Sequence, residues 1–240
     1  MTIFSETTRI KTYHVDKEGR LSTHQLFNFF QEAAYRHSVT GKFGQPDLAQ
    51  SNLVWMLSRI SLSVFGNAYL GEEIDVKTWI RSILGSLSER DFSILSNGKE
   101  IAKATSLWAC LSKETFKPTH IPSQFVKRMP INSIRSHDIV THRLSALKEW
   151  GNSDRYQVKP SDVDMVNHTN NVAYIRMVLD ALRLEENVQR IDVNFLRQSY
   201  LDDVLSVRTS KTMELAKAEI LNEKDEAIFR LKTSFALEDI

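Results

Sequence analysis

The sequence predicts an α+β protein of two homologous halves, each a strand, a turn, one long helix and several antiparallel strands. Three internal matches in the same order carry that prediction. Asp16-Lys17-Glu18-Gly19-Arg20-Leu21-Ser22-Thr23 has the outline of Asp164-Met165-Val166-Asn167-His168-Thr169-Asn170-Asn171: Asp, two residues, a small or turn-forming residue, a polar side chain, then capping residues. Arg59-Ile60-Ser61-Leu62-Ser63-Val64 matches Arg190-Ile191-Asp192-Val193-Asn194-Phe195. In that register Tyr69-Leu70 matches Tyr200-Leu201, Val76 matches Val207 and Thr78 matches Thr209. A looser match sets Glu100 to Trp108 beside Ala227 to Phe235. The offset is 148 residues in the helix block (Asp16 to Asp164) and 131 in the strand block (Arg59 to Arg190), so the first half carries the longer helix-to-strand connection. Chance supplies one such match; three in one order point to duplication.

Each element has a local reason. Ser22 and Gln25 have capping-box spacing, and Leu26, Phe29, Phe30, Ala33 and Ala34 share one face of a helix near 23–38. The two Arg-Ile blocks alternate apolar and polar residues, as half-buried strands do. Lys113 to Arg143 holds Pro118, Pro122 and Pro130, three of the five prolines, without clear periodicity, and reads as a connector. The expected division is therefore 1–112, a connector 113–150, and 151–240. The connector has six Lys or Arg (Lys113, Lys117, Lys127, Arg128, Arg135, Arg143) against Glu114 and Asp138, which suits a solvated linker equally well. In the second half Asn170 and Asn171 suit an N-cap. Ala173, Tyr174, Met177, Val178, Ala181 and Leu182 then form an apolar stripe on a helix near 171–184.

Composition narrows the function classes. The chain has 240 residues, 42% hydrophobic and 25% charged, an ordinary globular balance. Each half, at roughly 110 residues, is large enough to bury its own core. A net charge of +1 gives a nucleic-acid role no support. The single cysteine, Cys110, excludes an internal disulfide and a CxxC metal or redox site, so neither metal nor cofactor is expected. It follows Trp108 in an apolar run, where a buried, inert thiol is expected. Met1 to Thr12 lacks the pattern of a signal peptide. The longest apolar run, as in Leu53 to Leu57, falls far short of the roughly 20 residues that span a bilayer. A cytoplasmic protein without a membrane span is expected.

Chemistry concentrates at Asp164–Asn171. A carboxylate and an imidazole lie four residues apart, just before a helix start whose free N–H groups and partial positive charge point outward. Acid/base groups beside an oxyanion site are what acyl transfer requires. The spacing by itself also fits an Asx-capped helix with a solvated His. Arg20 stands at the His168 position of the first copy, so only the second copy has an imidazole there.

Asp162-Val163-Asp164-Met165-Val166-Asn167-His168-Thr169-Asn170-Asn171-Val172-Ala173-Tyr174-Ile175 resembles the signature of acyl-acyl carrier protein (acyl-ACP) thioesterases. The resemblance covers nearly the whole chain, with Phe30-Gln31-Glu32-Ala33-Ala34, Trp55-Met56-Leu57-Ser58-Arg59, Thr78-Trp79 and Arg90-Asp91-Phe92 in the first half. It implies two tandem hotdog domains, each a long helix packed on a curved antiparallel sheet, forming one continuous pseudo-dimeric sheet. It also implies hydrolysis of the thioester of a fatty acyl-ACP in fatty acid biosynthesis, releasing free fatty acid. An acyl-CoA thioesterase, another hotdog thioester enzyme and a non-catalytic acyl-binding protein are the alternatives.

The resemblance assigns catalysis to Asp164 and His168, with Gln198 where the family has a Glu. Asn167 stands next to Val166, the position of an Asn in plant members, and Ser199 falls where many plant members have a Cys. Water held by His168 and Gln198 is expected to attack an acyl carbonyl bound by backbone N–H groups at Thr169, Asn170 and Asn171. Either His168 is the base and Asp164 fixes its tautomer, or Asp164 is the base and His168 a positioning donor. Leu26, Phe29, Phe30, Trp55 and Met56 of the N-terminal half are the expected acyl-chain residues, alongside Phe27. The implied partner is an acidic acyl carrier protein bearing a fatty acyl chain, met by a basic rim at Lys127, Arg128, Arg135 and Arg143. A monomer or a homodimer is expected.

Overall fold

The computed structural model describes residues 2–133, 140–184 and 187–235. The chain forms two compact units, Met1–Thr141 and His142–Ile240. The first contains β1 (Phe4–Arg9), α1 (Thr23–Thr40), α2 (Gln45–Ala49), β2 (Leu53–Val64), β3 (Glu73–Leu84), β4 (Leu87–Ser96), β5 (Lys99–Ser112) and α3 (Ser123–Val126). The second contains β6 (Asn152–Gln157), α4 (Asn171–Leu182), β7 (Val188–Phe195), β8 (Val204–Lys211), β9 (Leu215–Leu221) and β10 (Ala227–Phe235).

The first unit's strands run in the order β1-β3-β4-β5-β2, and the second's in the order β6-β8-β9-β10-β7, all paired antiparallel within each unit. These are one topology, and the pairing register shows the duplication residue by residue. Glu6 pairs with Val76 as Asp154 pairs with Val207, and Phe4 pairs with Thr78 as Asn152 pairs with Thr209. Each pair unites the 148-residue offset on one strand with the 131-residue offset on the other. A one-residue slip would turn a strand's apolar face outward, so both offsets are held by burial.

One helix packs on one sheet face in each unit. Phe30 on α1 is 1% exposed, with its ring 4.8 Å from Phe92 of β4. On α4 the Tyr174 ring stacks on Phe229 at 5.6 Å, and Phe229 meets Phe195 edge-on at 5.4 Å. Burying each such ring contributes roughly 1.5–3 kcal/mol. Helix limits differ slightly from expectation. Helix α1 extends to Thr40, and α4 stops at Leu182 because Arg183 adopts the left-handed conformation that ends helices. Ser22 is the N-cap of α1, but its side chain makes no cap bond, and the Gln25 amide turns away to the Tyr13 carbonyl (3.4 Å). The expected capping box does not form.

The stretch expected as a connector, 113–150, is partly folded. Ile121, Phe125 and Met129 are buried with Phe43, Leu48, Leu53, Ile80 and Cys110 in a satellite cluster of the first unit. Three apolar anchors spread over an irregular segment have no period to reveal them. Cys110 is fully buried, and burial pushes its thiol up to about 11, so it is inert as expected. Burial also acts on His37 in the last turn of α1. Its Nδ1 lies 2.9 Å from Nη1 of Arg90, which also donates to Thr78 Oγ1. Burial first, and then the adjacent guanidinium, lowers the His37 pKa to about 3, so the ring stays neutral and accepts the Arg90 hydrogen bond.

Two outcomes follow. His37 is depressed in the folded state relative to the unfolded chain, so acid adds a proton to the unfolded chain first. Its contribution to stability is complete above the ordinary His value of 6.5 and is lost as pH falls from there toward 3. His37→Gln, which keeps an acceptor, should flatten the decline of the unfolding midpoint over that range; an unchanged slope refutes the assignment. The second outcome concerns Gly19, which has φ +75° and empty space around a built Cβ, while its repeat equivalent Asn167 has φ 61°. Gly19→Asn should change stability by less than about 0.5 kcal/mol. Gly19→Val should cost about 1–2 kcal/mol in a denaturant titration, from the left-handed conformation alone.

Candidate active site

The loop before α4 is a tight hairpin organised by Asp164. Its Oδ1 accepts from the backbone N–H groups of Val166 (3.0 Å) and His168 (3.3 Å). Main-chain bonds Asp164 N–H to His168 O (2.9 Å) and Asn167 N–H to Asp164 O (3.0 Å) close the turn. Asn167 takes the positive φ that the turn needs, a conformation Asn tolerates better than most residues. The first unit repeats every feature: Asp16 Oδ1 accepts from Glu18 N–H (3.0 Å) and Arg20 N–H (2.8 Å), and Gly19 takes the positive φ. There the second carboxylate oxygen also binds Arg20 Nε at 3.1 Å. Asp164 thus holds the backbone of His168 through one carboxylate oxygen. Its twin shows that the other oxygen lies within reach of the side chain four residues on.

A second anchor fixes this loop to the segment after β7. Thr169 N–H donates to the Ser199 carbonyl at 2.9 Å, as Leu21 N–H donates to Ala68 O at 2.8 Å in the first unit. Around that bond Ser199 Oγ shares hydrogen bonds with Thr169 Oγ1 (2.7 Å) and the Tyr174 hydroxyl (2.8 Å), and Ser199 N–H donates to the Tyr174 oxygen (2.8 Å). Burial pushes the Tyr174 phenol above its ordinary value, so it remains protonated within this network. Since side chains alternate along paired extended segments, burying Thr169 and Ser199 turns His168, Asn170, Gln198 and Tyr200 to the outer side. The His168 and Tyr200 rings meet edge-on at 5.4 Å, and Gln198 is exposed. The half-buried His168 thus meets Tyr200, two residues along from the exposed Gln198. Met165 (87% exposed) and Val166 (50%) form the loop tip, with apolar side chains where a polar one was sought.

The helix start is largely occupied by its own caps. Asn170 is the N-cap, and its Oδ1 accepts from Val172 N–H at 2.9 Å. Asn170 N–H donates to Asp162 O, Ala173 N–H to Asn170 O and Thr169 N–H to Ser199 O. Of the three amides proposed for an oxyanion, only that of Asn171 has no acceptor recorded among the described residues. Three residues without an expected role lie behind the loop. The buried Asp162 carboxylate accepts from Arg176 Nη2 (2.5 Å), the Tyr156 hydroxyl (2.8 Å) and Lys159 N–H (2.9 Å). The signal available in the sequence was the first Asp of the quoted signature, an acid with no partner assigned.

The expected acyl-chain residues divide. Leu26, Phe27 and Phe30 are core, while Phe29 and Met56 are half-buried. The Phe29 ring meets His14 at 5.0 Å. Trp55 is fastened through its indole N–H to Phe43 O (3.0 Å). Of the basic rim, Lys127, Arg128 and Arg143 are exposed, and Arg135 lies outside the described residues. Among the described residues no cluster of His, Cys, Asp and Glu suits a metal, and no helix is long and apolar enough to cross a membrane.

A long helix on an antiparallel sheet, present twice, with the acid/base loop at one helix start, defines the class as a tandem hotdog protein. Family models then give the assignment. The acyl-ACP thioesterase N-terminal domain matches residues 1–129 and the C-terminal domain residues 145–237, so the chain belongs to the acyl-ACP thioesterase family. A palmitoyl-acyl carrier protein thioesterase of Gossypium hirsutum is 24% identical over 226 residues, covering 87% of this chain and 55% of that protein. An acyl-[acyl-carrier-protein] hydrolase of Cuphea viscosissima is 23% identical over 84% of this chain and 52% of its own length. The chain spans about half the length of these curated relatives. An acyl-ACP thioesterase structure from Bacteroides thetaiotaomicron superposes with a TM-score of 0.87 at 24% identity, covering 98% of each chain. The 12:0-ACP thioesterase of Umbellularia californica gives 0.86 at 19% identity, also over 98% of each. Both share the fold.

The hydroxyl network makes Ser199 structural. Ser199→Ala leaves Thr169 Oγ1 and the Tyr174 hydroxyl short of a buried partner and should cost about 1–3 kcal/mol. An alanine variant as stable as the parent in urea denaturation would contradict this.

Proposed function

We propose that this chain hydrolyses the thioester of a fatty acyl-ACP, releasing free fatty acid and carrier protein, in the cytoplasm. Family membership supports the reaction class. The single observation that carries the site is the hairpin of Asp164 and His168 at the start of α4, with the imidazole in the second copy alone. In this reading the acyl oxygen is stabilised at the helix start, chiefly by Asn171 N–H. One such donor typically contributes about 3–4 kcal/mol to the lowered barrier. Water attacks the carbonyl carbon and loses a proton to the imidazole of His168; the C–S bond then breaks, and the imidazolium returns that proton to the leaving sulfur, which departs as the thiol. Asp164 holds the His168 backbone, and its second oxygen is the group available to the ring. Gln198 orients the water through its amide and accepts no proton. Ser199, buried in its hydroxyl network, is not the nucleophile. Leu26, Phe29, Phe30, Trp55 and Met56 retain the acyl-chain role, and Lys127, Arg128 and Arg143 the carrier-protein role. The protein acts as a monomer or a homodimer.

A non-catalytic acyl-binding role is the second reading, favoured by Val166 and Gln198 standing where plant members have Asn and Glu. A panel of carrier-bound and CoA-bound acyl chains with a thiol-release readout separates the two. His168→Ala should lower kcat by about two to four orders of magnitude. Gln198→Glu should keep activity or raise it, while Gln198→Ala should lower kcat with KM nearly unchanged. Release of thiol by Gln198→Glu but not by the parent would favour the binding role.

A further inference from the structure

We propose that Asp162, with Arg176 and Tyr156, is a positioning residue that sets the His168 loop against α4; this rests on the hydrolysis reading above. The carboxylate side chain is wholly buried and is fastened on three sides: to β6 through the Tyr156 hydroxyl, to α4 through Arg176, and to its own turn through Lys159 N–H. The Asp162 carbonyl also accepts from Asn170 N–H at 2.8 Å, and Val163 pairs with Thr169. Both ends of the loop bearing His168 therefore close on this one residue. Burying a carboxylate costs several kcal/mol unless its partners are well placed, so a site that keeps one gains fixed geometry.

The first unit is an internal control. The 148-residue offset sets His14 opposite Asp162, Asn28 opposite Arg176 and Thr8 opposite Tyr156. Lys11 N–H donates to His14 Nδ1 at 3.2 Å, just as Lys159 N–H donates to Asp162, and Asn28 turns to Gln25 instead. Burial and Lys11 lower the His14 pKa, so that ring is a neutral acceptor. Yet the first hairpin forms the same turn and the same bridge, Val15 with Leu21. The fold of the hairpin does not need the buried ion pair. The pair occurs in the copy that carries the imidazole.

The test transplants the first unit's solution into the second as a triple variant, Tyr156→Thr, Asp162→His and Arg176→Asn, beside the single Asp162→Asn. Both are assayed for thioester hydrolysis and thermal unfolding. The His168 ring is followed through its Hε1–Cε1 cross-peak, assigned with His168→Gln. The triple variant should stay folded and lose about 10- to 100-fold in kcat, the scale of a small misplacement of a reacting group. KM should change less than about twofold, as expected when ground-state binding is untouched. The His168 cross-peak should move while that of His37 stays. A folded triple variant with unchanged kcat and unchanged His168 signal overturns the proposal. So does a loss of kcat that only follows the loss of folded protein. A parent that hydrolyses no acyl thioester sinks the hydrolysis reading instead, and the His168 signal still decides whether Asp162 positions the ring.

Discussion

The second unit's site depends on one main-chain hydrogen bond, from Thr169 N–H to the Ser199 carbonyl. It joins the loop entering α4 to the segment leaving β7, which are separate in sequence and carry His168 and Gln198. Its strength follows from its surroundings. Each group is buried, and a buried amide or carbonyl without a partner costs more than a typical bond contributes. The three hydroxyls gathered there are bonded to one another and to the Ser199 backbone, so each has a partner inside the buried network. Alternation along the two segments then does the rest, placing the hydroxyls inside and the imidazole and amide outside.

The equivalent bond in the first unit, Leu21 to Ala68, joins two residues with apolar side chains. Duplication thus left two copies of one backbone and two different interiors. In one, Asp16 is consumed by Arg20 in a partly exposed ion pair of the kind that contributes little to stability. In the other, the corresponding carboxylate holds the backbone N–H groups of Val166 and His168 through one oxygen. The backbone forms the same turn with either set.

How far the sequence revealed this varies with the physics of each element. The repeat was legible because strand register is set by burial: a match such as Val76 with Val207 has to survive if the sheet is to close. Helix faces were legible for the same reason. The role of Asp164 was not, because four residues of spacing in a turn leave the carboxylate free to serve either the ring or the amide of His168. Asp162 escaped notice since its partners, Tyr156 and Arg176, lie on a strand and a helix whose approach no local pattern announces. Ile121, Phe125 and Met129 were hidden in a proline-rich stretch, where isolated apolar anchors look like linker.

Cys110 has a practical bearing of another kind. It is the chain's single thiol, it lies in the first unit's satellite cluster, and burial holds it protonated. An electrophile reaches it only when that cluster opens, so the rate of alkylation measures the opening of the first unit. The site loop of the second unit contains no thiol, its one sulfur being the exposed thioether of Met165. A thiol-selective reagent thus becomes a gauge of local unfolding in the first unit.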